Sequence, residues 1–198
     1  MKKRITHIVG VDEAGRGPLA GPVAVGMVVV PVGFDWDLIP GVGDSKKLTA
    51  ENREAIFRCT RALARAGILA YTVSLVGAST IDRLGITKAV ALGITRSFRK
   101  LAPDPRRTRV LLDGLLRAPE EFTEQETIIK GDAKEKVIGL ASICAKVTRD
   151  AYMVRVARNY PAYGFEIHKG YGTRAHIGVI LAHGLAKIHR RSFTKRFQ

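Results

Sequence analysis

The chain has 198 residues, 46% of them hydrophobic, which suffices for one domain with a substantial core. Its net charge of +15 favours a polyanion such as nucleic acid as the partner, in preference to a merely soluble basic protein. The longest apolar run, residues 23–32, is too short for a membrane span of about 20 residues, and the two cysteines, Cys59 and Cys144, lie in apolar helical patterns that indicate buried thiols rather than a disulfide framework or a zinc site.

The spacing of apolar residues predicts alternating strands and helices, and hence an α/β fold. Strands are predicted at residues 6–12, 23–30 and 68–76, and a helix capped by Thr49 precedes the third, at residues 49–66. Because the early strands follow one another along the chain, we expect the sheet to begin as a meander.

The second half of the chain is predicted to be richer in helix. Ser79 and Asp82 resemble a capping pair at the start of a mostly helical segment, and Asp132 is expected to open a long helix. The predicted elements are, in order, helix at residues 79–101, strands at 109–113 and 127–130, the long helix from 132 to about 160, a helix at about 173–183 and a basic tail.

A predicted strand ends in two adjacent acids, Asp12 and Glu13, and a glycine-rich turn follows. On their own, the two acids are most simply a polar strand end before a flexible turn. Gly15 and Gly17 change this interpretation, because they remove side chains on both sides of Arg16 and allow backbone N–H groups to approach a ligand closely. The segment therefore predicts rigidly held carboxylates beside a ligand-binding turn.

Two further aspartates stand at the ends of predicted elements. Asp113 ends a second apolar strand, just before Gly114, and its carboxylate would lie near Asp12 if the two strands are neighbours in the sheet. Asp132 follows Gly131 at the start of the long helix. There, the local sequence is as consistent with an ordinary helix N-cap as with a catalytic role.

The four acids Asp12, Glu13, Asp113 and Asp132 would repel one another in one pocket unless cations lay between them. An all-oxygen ligand set suits Mg²⁺ or Mn²⁺, and two such ions about 3.5–4 Å apart can support phosphodiester hydrolysis. The sequence offers no Cys/His metal spacing, no Walker loop and no dinucleotide fingerprint as a competing interpretation. We therefore expect a divalent-metal site, with two ions when substrate is bound.

Seven short motifs follow one another along nearly the whole chain, and the first of them is highly specific. They are residues 11–23 (VDEAGRGPLAGPV), 44–48 (DSKKL), 112–114 (LDG), 131–132 (GD), 141–150 (ASICAKVTRD), 168–173 (HKGYGT) and 188–193 (IHRRSF). Together they resemble the ribonuclease HII family. The resemblance implies a ribonuclease H-like mixed sheet flanked by helices, with a C-terminal helical extension. Leu115, residues 135–140 and Leu185 depart from the usual family pattern.

By this resemblance, the four acids match the catalytic, metal-binding residues of the family. Gly15, Arg16 and Gly17 match the loop that senses the ribose 2′-hydroxyl, the group that separates RNA from DNA. Tyr171 matches the tyrosine that packs on the deoxyribose beside the ribonucleotide, although a surface tyrosine in a loop would look the same in the sequence. The candidate phosphate contacts are Lys46, Lys47, Lys146, Arg149, Lys169 and Arg190, whereas Asp150 is expected to be structural.

The implied function is an endonuclease that hydrolyses the RNA strand of RNA–DNA hybrids and cuts at single ribonucleotides embedded in duplex DNA. Two-metal-ion phosphodiester hydrolysis would leave 3′-hydroxyl and 5′-phosphate ends. We expect a monomeric, cytoplasmic protein whose one catalytic domain spans residues 1–198, with residues from about 160 as a helical, basic extension.

Three alternatives remain. Ribonuclease HIII shares the first motif but normally carries an extra N-terminal domain, for which a motif whose strand begins at residue nine leaves no room. A catalytically silent RNA-binding protein would account for the charge but not for three aspartates at element ends. A resolvase or integrase of related fold would leave the 2′-hydroxyl loop unexplained.

Overall fold

The computed structural model describes residues 4–43 and 48–197, and a five-stranded mixed sheet lies at its centre. The strands are β1 (His7–Ala14), β2 (Val23–Pro31), β3 (Ala70–Val76), β4 (Thr108–Asp113) and β5 (Gln125–Ile128). In the sheet order β3-β2-β1-β4-β5, the first three form an antiparallel meander, whereas β4 and β5 run parallel to β1. The predicted α/β fold and its opening meander are confirmed.

Helices cover both faces of the sheet. One face packs against α3, and the opposite face packs against α1 and α5. The helices are α1 (Ala50–Arg65), α2 (Ala78–Leu84), α3 (Ile86–Leu101), α4 (Gly131–Lys134), α5 (Lys136–Ala157), α6 (Phe165–His168), α7 (Arg174–His183) and α8 (Arg191–Thr194). Within the described residues, none of them combines the length and the apolar character that crossing a bilayer requires.

Two helices that were predicted as continuous are each divided in two. Gly85 adopts a left-handed φ of 78° and separates α2 from α3. Glu135 is extended, with φ −118° and ψ 114°, so Asp132 lies in the short helix α4 and the long helix α5 begins only at Lys136. The predicted capping pair is also wrong, because Gly77 stands at the N-cap of α2.

The other predicted elements hold with small shifts of their bounds. Thr49 caps α1 as expected, since its hydroxyl accepts the N–H of Asn52 at 3.2 Å, and Thr173 caps α7 in the same way. Of the two cysteines, Cys144 is buried, whereas Cys59 is exposed on α1, so that prediction is half wrong.

Helix α5 lies directly against the sheet, because two strand positions have no side chain. A Cβ atom at Gly10 of β1 would overlap the carbonyl of Val137, and one at Gly26 of β2 would overlap the carbonyl of Ala141. The backbones of the helix and the strands are therefore in contact. This contact brings the next residue of α5, Ser142, to the end of β1, where the acidic residues lie.

Candidate active site

The parallel pairing of β1 with β4 brings two of the predicted acids together. Val11 pairs with Leu112, so Asp12 and Asp113 follow side by side at the carboxyl ends of the two strands. Both carboxylates line an open cleft of about 580 Å³. The other lining residues are Glu13, Ala14, Gly15, Arg16, Gly17, Arg53, Ser142, Lys146 and Tyr171. Most of the predicted site residues therefore share one cleft.

Asp12 is the most perturbed of the acids. Its side chain accepts the N–H of Glu13 at 2.7 Å and the hydroxyl of Ser142, and both bonds favour the charged carboxylate. Burial outweighs them, and together with the charges of Glu13 and Asp113 it raises the pKa of Asp12 to about 8. Without a cation nearby, an ionised Asp12 is costly in this position.

The other two cleft acids have defined partners. Burial raises the pKa of Glu13, although the guanidinium of Arg16 lies 3.3 Å from its carboxylate and opposes that shift. Asp113 Oδ1 accepts the N–H of Gly131 at 2.7 Å. Gly131 is closely packed, since a Cβ atom there would lie 2.7 Å from Cδ1 of Ile138.

Asp132 occupies a different position from the other acids. It is buried, next to the glycine that binds Asp113, but it is not among the residues that line the cleft. Its interpretation as a helix N-cap is wrong, because Lys130 holds that position in a left-handed conformation. Over residues 4–43 and 48–197, no three acidic, histidine or cysteine side chains are grouped closely enough, as they stand, to hold one metal ion.

The glycine turn is supported from beneath by Arg190. This guanidinium is fully buried and donates to the carbonyls of Gly15 at 2.6 Å, Arg16 at 2.8 Å and Gly21 at 2.9 Å. Gly15 has a φ of 84°, and a Cβ there would also overlap the side chain of Arg149. The turn therefore needs glycine at position 15 for both its conformation and its packing.

Arg149 is a second buried cation with the same kind of partners. It donates to the carbonyls of Pro22 at 2.9 Å, Ala20 at 3.2 Å and Lys169 at 3.0 Å. Arg149 and Arg190 were expected to contact phosphates, but neither side chain has any exposed surface. In this structure they connect segments of backbone around the site.

Tyr171 forms one wall of the cleft with 43% of its surface exposed. The cations of Lys146 and Arg149 both lie 5.7 Å from the centre of its ring. Lys146 also forms an ion pair with Asp150 at 2.9 Å, which agrees with a structural role for that acid. Lys169 borders a neighbouring cleft, and Lys46 and Lys47 lie outside the described residues.

Sequence reasoning missed two residues of the cleft and one cluster beside it. Ser142 and Arg53 line the cleft, but neither is distinctive by spacing. His176 and His189 are buried behind Tyr171, and only their position within or beside the recognised motifs could have drawn attention to them. For Arg149 a clue existed, because Ala145 and Met153 one helical turn away on either side are both apolar and buried.

The strand order and the acid-lined cleft at the ends of β1 and β4 define a ribonuclease H-like hydrolase. The family model described as Ribonuclease HII matches residues 9–196. The chain belongs to the ribonuclease HII family, and it is therefore an endoribonuclease that acts on RNA in RNA–DNA hybrids.

Two relatives illustrate the similarity. Ribonuclease HII of Endomicrobium trichonymphae is 43% identical over 187 residues, which cover 94% of this chain and 85% of the relative. Ribonuclease HII of Bacillus cereus (strain Q1) is 43% identical over 192 residues, which cover 97% of this chain and 70% of the relative.

Solved structures agree with this assignment. Ribonuclease H2 from Pyrococcus horikoshii OT3 superimposes with a TM-score of 0.71 and 27% identity, covering 96% of this chain and 98% of that one. A Bst-RNase HIII in complex with Mn²⁺ shares the fold, with a TM-score of 0.65, 20% identity and coverage of 92% and 64%.

Proposed function

We propose that this chain is a divalent-metal-dependent endonuclease that cuts both RNA paired with DNA and single ribonucleotides embedded in duplex DNA. The products would be 3′-hydroxyl and 5′-phosphate ends, and the protein would act as a monomer. The observation that carries the proposal is the shared cleft of Asp12, Glu13 and Asp113 with the glycine turn and Tyr171. A net charge of +15 supports a duplex nucleic acid as the partner.

The chemistry of the donor set fits Mg²⁺ or Mn²⁺. Carboxylate oxygens are the ligands that these hard cations prefer. Burial, with a smaller contribution from neighbouring carboxylates, raises the pKa values of Asp12 and Glu13, so their charged forms are costly here and a bound cation would offset that cost. Asp12, Glu13, Asp113 and Asp132 would hold the metal after moving closer together than they stand in this structure.

When bound, the metal would lower the cost of attack by water and neutralise charge on the leaving oxygen. The chain's own residues have separate tasks. Ser142 donates to Asp12 and the N–H of Gly131 donates to Asp113, so both carboxylates are oriented from behind. Such fixed orientation matters because small displacements of reacting groups are expensive in catalysis.

The glycine turn is proposed to recognise the 2′-hydroxyl. Arg190 occupies the carbonyls of Gly15 and Arg16, and the backbone N–H groups of the turn would be the donors offered to the 2′-hydroxyl. Tyr171 would pack on the neighbouring deoxyribose. Lys146 and Lys169, together with Lys46 and Lys47, are the proposed phosphate contacts, whereas Arg149 and Arg190 support the site from within.

The test is the substitution Asp113→Asn. Asparagine keeps an oxygen that can accept the N–H of Gly131, so the fold is expected to survive while metal binding and cleavage are lost. Cleavage would be measured on an RNA–DNA hybrid and on a DNA duplex with one ribonucleotide, with Mg²⁺ and with EDTA, and the product ends would be identified.

The matched control is Asp104→Asn. Asp104 is exposed before β4, far along the strand from the cleft, and its carboxylate also accepts a backbone N–H, that of Arg106 at 2.9 Å. This variant should keep full activity. Cleavage at the normal rate by Asp113→Asn or in EDTA would rule out the metal mechanism. Binding without cleavage by the unaltered protein would favour a silent nucleic-acid-binding protein.

A further inference from the structure

Positive side chains continue beyond the acid-lined cleft, along a groove between α1 and α5 that we call the α1–α5 groove. It consists of two further clefts of about 550 Å³ each. The basic residues that line them are Arg53, Arg155, Arg158 and Lys169 in the nearer cleft and Arg61, Lys100 and Arg155 in the farther one.

The three clefts adjoin one another, since neighbouring clefts share lining residues. Arg53 borders both the acid-lined cleft and the nearer cleft of the groove. Val147, Ala151 and Arg155 border both the nearer and the farther cleft. A chain-like ligand in the acid-lined cleft can therefore extend along the groove without leaving the protein surface.

The groove carries an excess of positive charge. Its acidic lining residues are Glu54 and Asp150, and the latter is paired with Lys146 at 2.9 Å. Arg155 lies with its guanidinium 5.7 Å from the centre of the Tyr152 ring, which holds an exposed cation at the point where the two clefts meet. The first residue of the 16-residue helix α1, Ala50, also borders the groove, so the positive end of its dipole faces the same space.

We propose that the α1–α5 groove binds the phosphate backbone of the duplex arm on one side of the cleavage site. This inference rests on the proposed function and extends it from the reacting nucleotide to the flanking duplex. Along the nearer cleft, the lining residues of α5 run from Val147 to Arg158, eleven residues apart, or about 16 Å at 1.5 Å per residue. At about 3.4 Å per phosphate along one strand, that length corresponds to roughly five nucleotides.

The test compares cleavable RNA–DNA hybrids that are lengthened either on one side of the cleavage site or on the other. In the unaltered protein, lengthening one arm should lower KM and steepen the fall of affinity with salt, whereas lengthening the other arm should do so much less. In Arg155→Gln/Arg158→Gln, this gain should be largely lost, and the salt slope should flatten with each phosphate contact removed, by about 0.9 per contact where the added arm is B-form DNA. Arg61→Gln, on a different helix, tests the far end independently.

The matched control is Arg106→Gln/Arg107→Gln, which removes the same charge from two exposed arginines just before β4, at the opposite end of the sheet from the cleft. This variant should keep the full decrease in KM, and the full increase in salt dependence, that the longer arm gives the unaltered protein. If neither arm changes KM in the unaltered protein, or if the groove variants behave like the control, the groove does not bind the duplex. If the unaltered protein binds the long duplex through the groove but cuts no hybrid, the proposed function fails instead.

Discussion

Nε2 of His176 lies 3.0 Å from Nε2 of His189, and both rings are buried behind Tyr171. Nδ1 of His189 lies 2.8 Å from the backbone N–H of Ala186 and 3.2 Å from the carbonyl oxygen of Ala186. Because the N–H is closer, this nitrogen is taken as the unprotonated one, which accepts a hydrogen bond from Ala186. Nε2–H of His189 then donates to His176, whose Nδ1–H donates to the carbonyl of Tyr171 at 2.9 Å. Two neutral rings thus connect the C-terminal segment to the backbone of Tyr171.

Acid should destabilise the protein through this pair. Burial lowers the pKa of His176 to about 4 and also lowers the pKa of His189, whereas an unfolded histidine titrates near 6.5. The unfolded state therefore binds more protons between these values, and stability is lost as pH falls from about 6.5 towards 4. The loss of unfolding free energy cannot exceed about 1.4 kcal/mol per pH unit for each histidine. Urea unfolding over this range would measure the loss.

His176→Asn should lower stability at pH 7 but flatten its dependence on pH. The matched control is His183→Asn, which removes an exposed histidine from the same helix and should leave the slope unchanged. Parallel curves for the unaltered protein and His176→Asn would show that His176 does not carry the effect.

The buried carboxylate of Asp12 should lower the stability of the metal-free protein at neutral and alkaline pH. Because the pKa of Asp12 is raised to about 8, folding takes up a proton that the unfolded chain has released, so this group costs stability as pH rises from about 4 to 8. Asp12→Asn should therefore be inactive yet more stable in EDTA at pH 8, by roughly 0.5–2 kcal/mol. Thermal melting would record it.

The same comparison at pH 4.5 provides the control, because Asp12 is then largely protonated in the folded protein at little cost. The stabilisation should shrink there. An Asp12→Asn variant less stable than the unaltered protein at pH 8 would mean that the bond from Ser142 outweighs burial.

The sequence predicts those strands and site residues that are marked by a pattern in their own segment of the chain. Asp12 and Asp113 each end an apolar run, so both the strands and the positions of the acids at their ends follow from alternation and turn residues. The break at Glu135 could not be predicted, since nothing in the local residue pattern disfavours helix there. The two helices that it separates, α4 and α5, pack against each other, and such a contact is not visible in local spacing.

Contacts between distant parts of the chain account for the remaining errors. Asp82 was expected to cap its own helix, but its carboxylate accepts the N–H groups of Arg191 and Ser192, both at 2.9 Å. Arg149 and Arg190 have side chains typical of the surface, and the carbonyls that receive them in the interior come from residues 15–22 and Lys169, far away in the chain. Sequence spacing contains no information about such partners.

Arg190→Met should destabilise the protein and impair the site together. It leaves the buried carbonyls of Gly15, Arg16 and Gly21 without their donor, at a cost on the order of 3 kcal/mol. Because the glycine turn loses its support, kcat should fall more than KM rises. Arg191→Met is the control, since that side chain is exposed and only its backbone N–H is used. Equal kcat values for the two variants at a temperature where both are folded would refute the supporting role.

Tyr171→Ala should slow cleavage at a single embedded ribonucleotide more than cleavage of an all-RNA strand paired with DNA. A ring packed on a deoxyribose positions the phosphate only where that sugar lacks the 2′-hydroxyl. Single-turnover rates on the two substrates would measure the difference, and Tyr171→Phe, which keeps the ring, should retain most of the preference. Equal losses on both substrates would leave Tyr171 as a general support of the cleft.

The contact of α5 with the sheet at Gly10 and Gly26 determines which substitutions can alter the cleft. The spacing between helix and strands is set there by backbone atoms, not by the size of core side chains. Substitutions elsewhere in the core can therefore accumulate with effects on stability but little effect on the width of the cleft. A single methyl group at either glycine would instead push α5 outward and carry Ser142 away from Asp12.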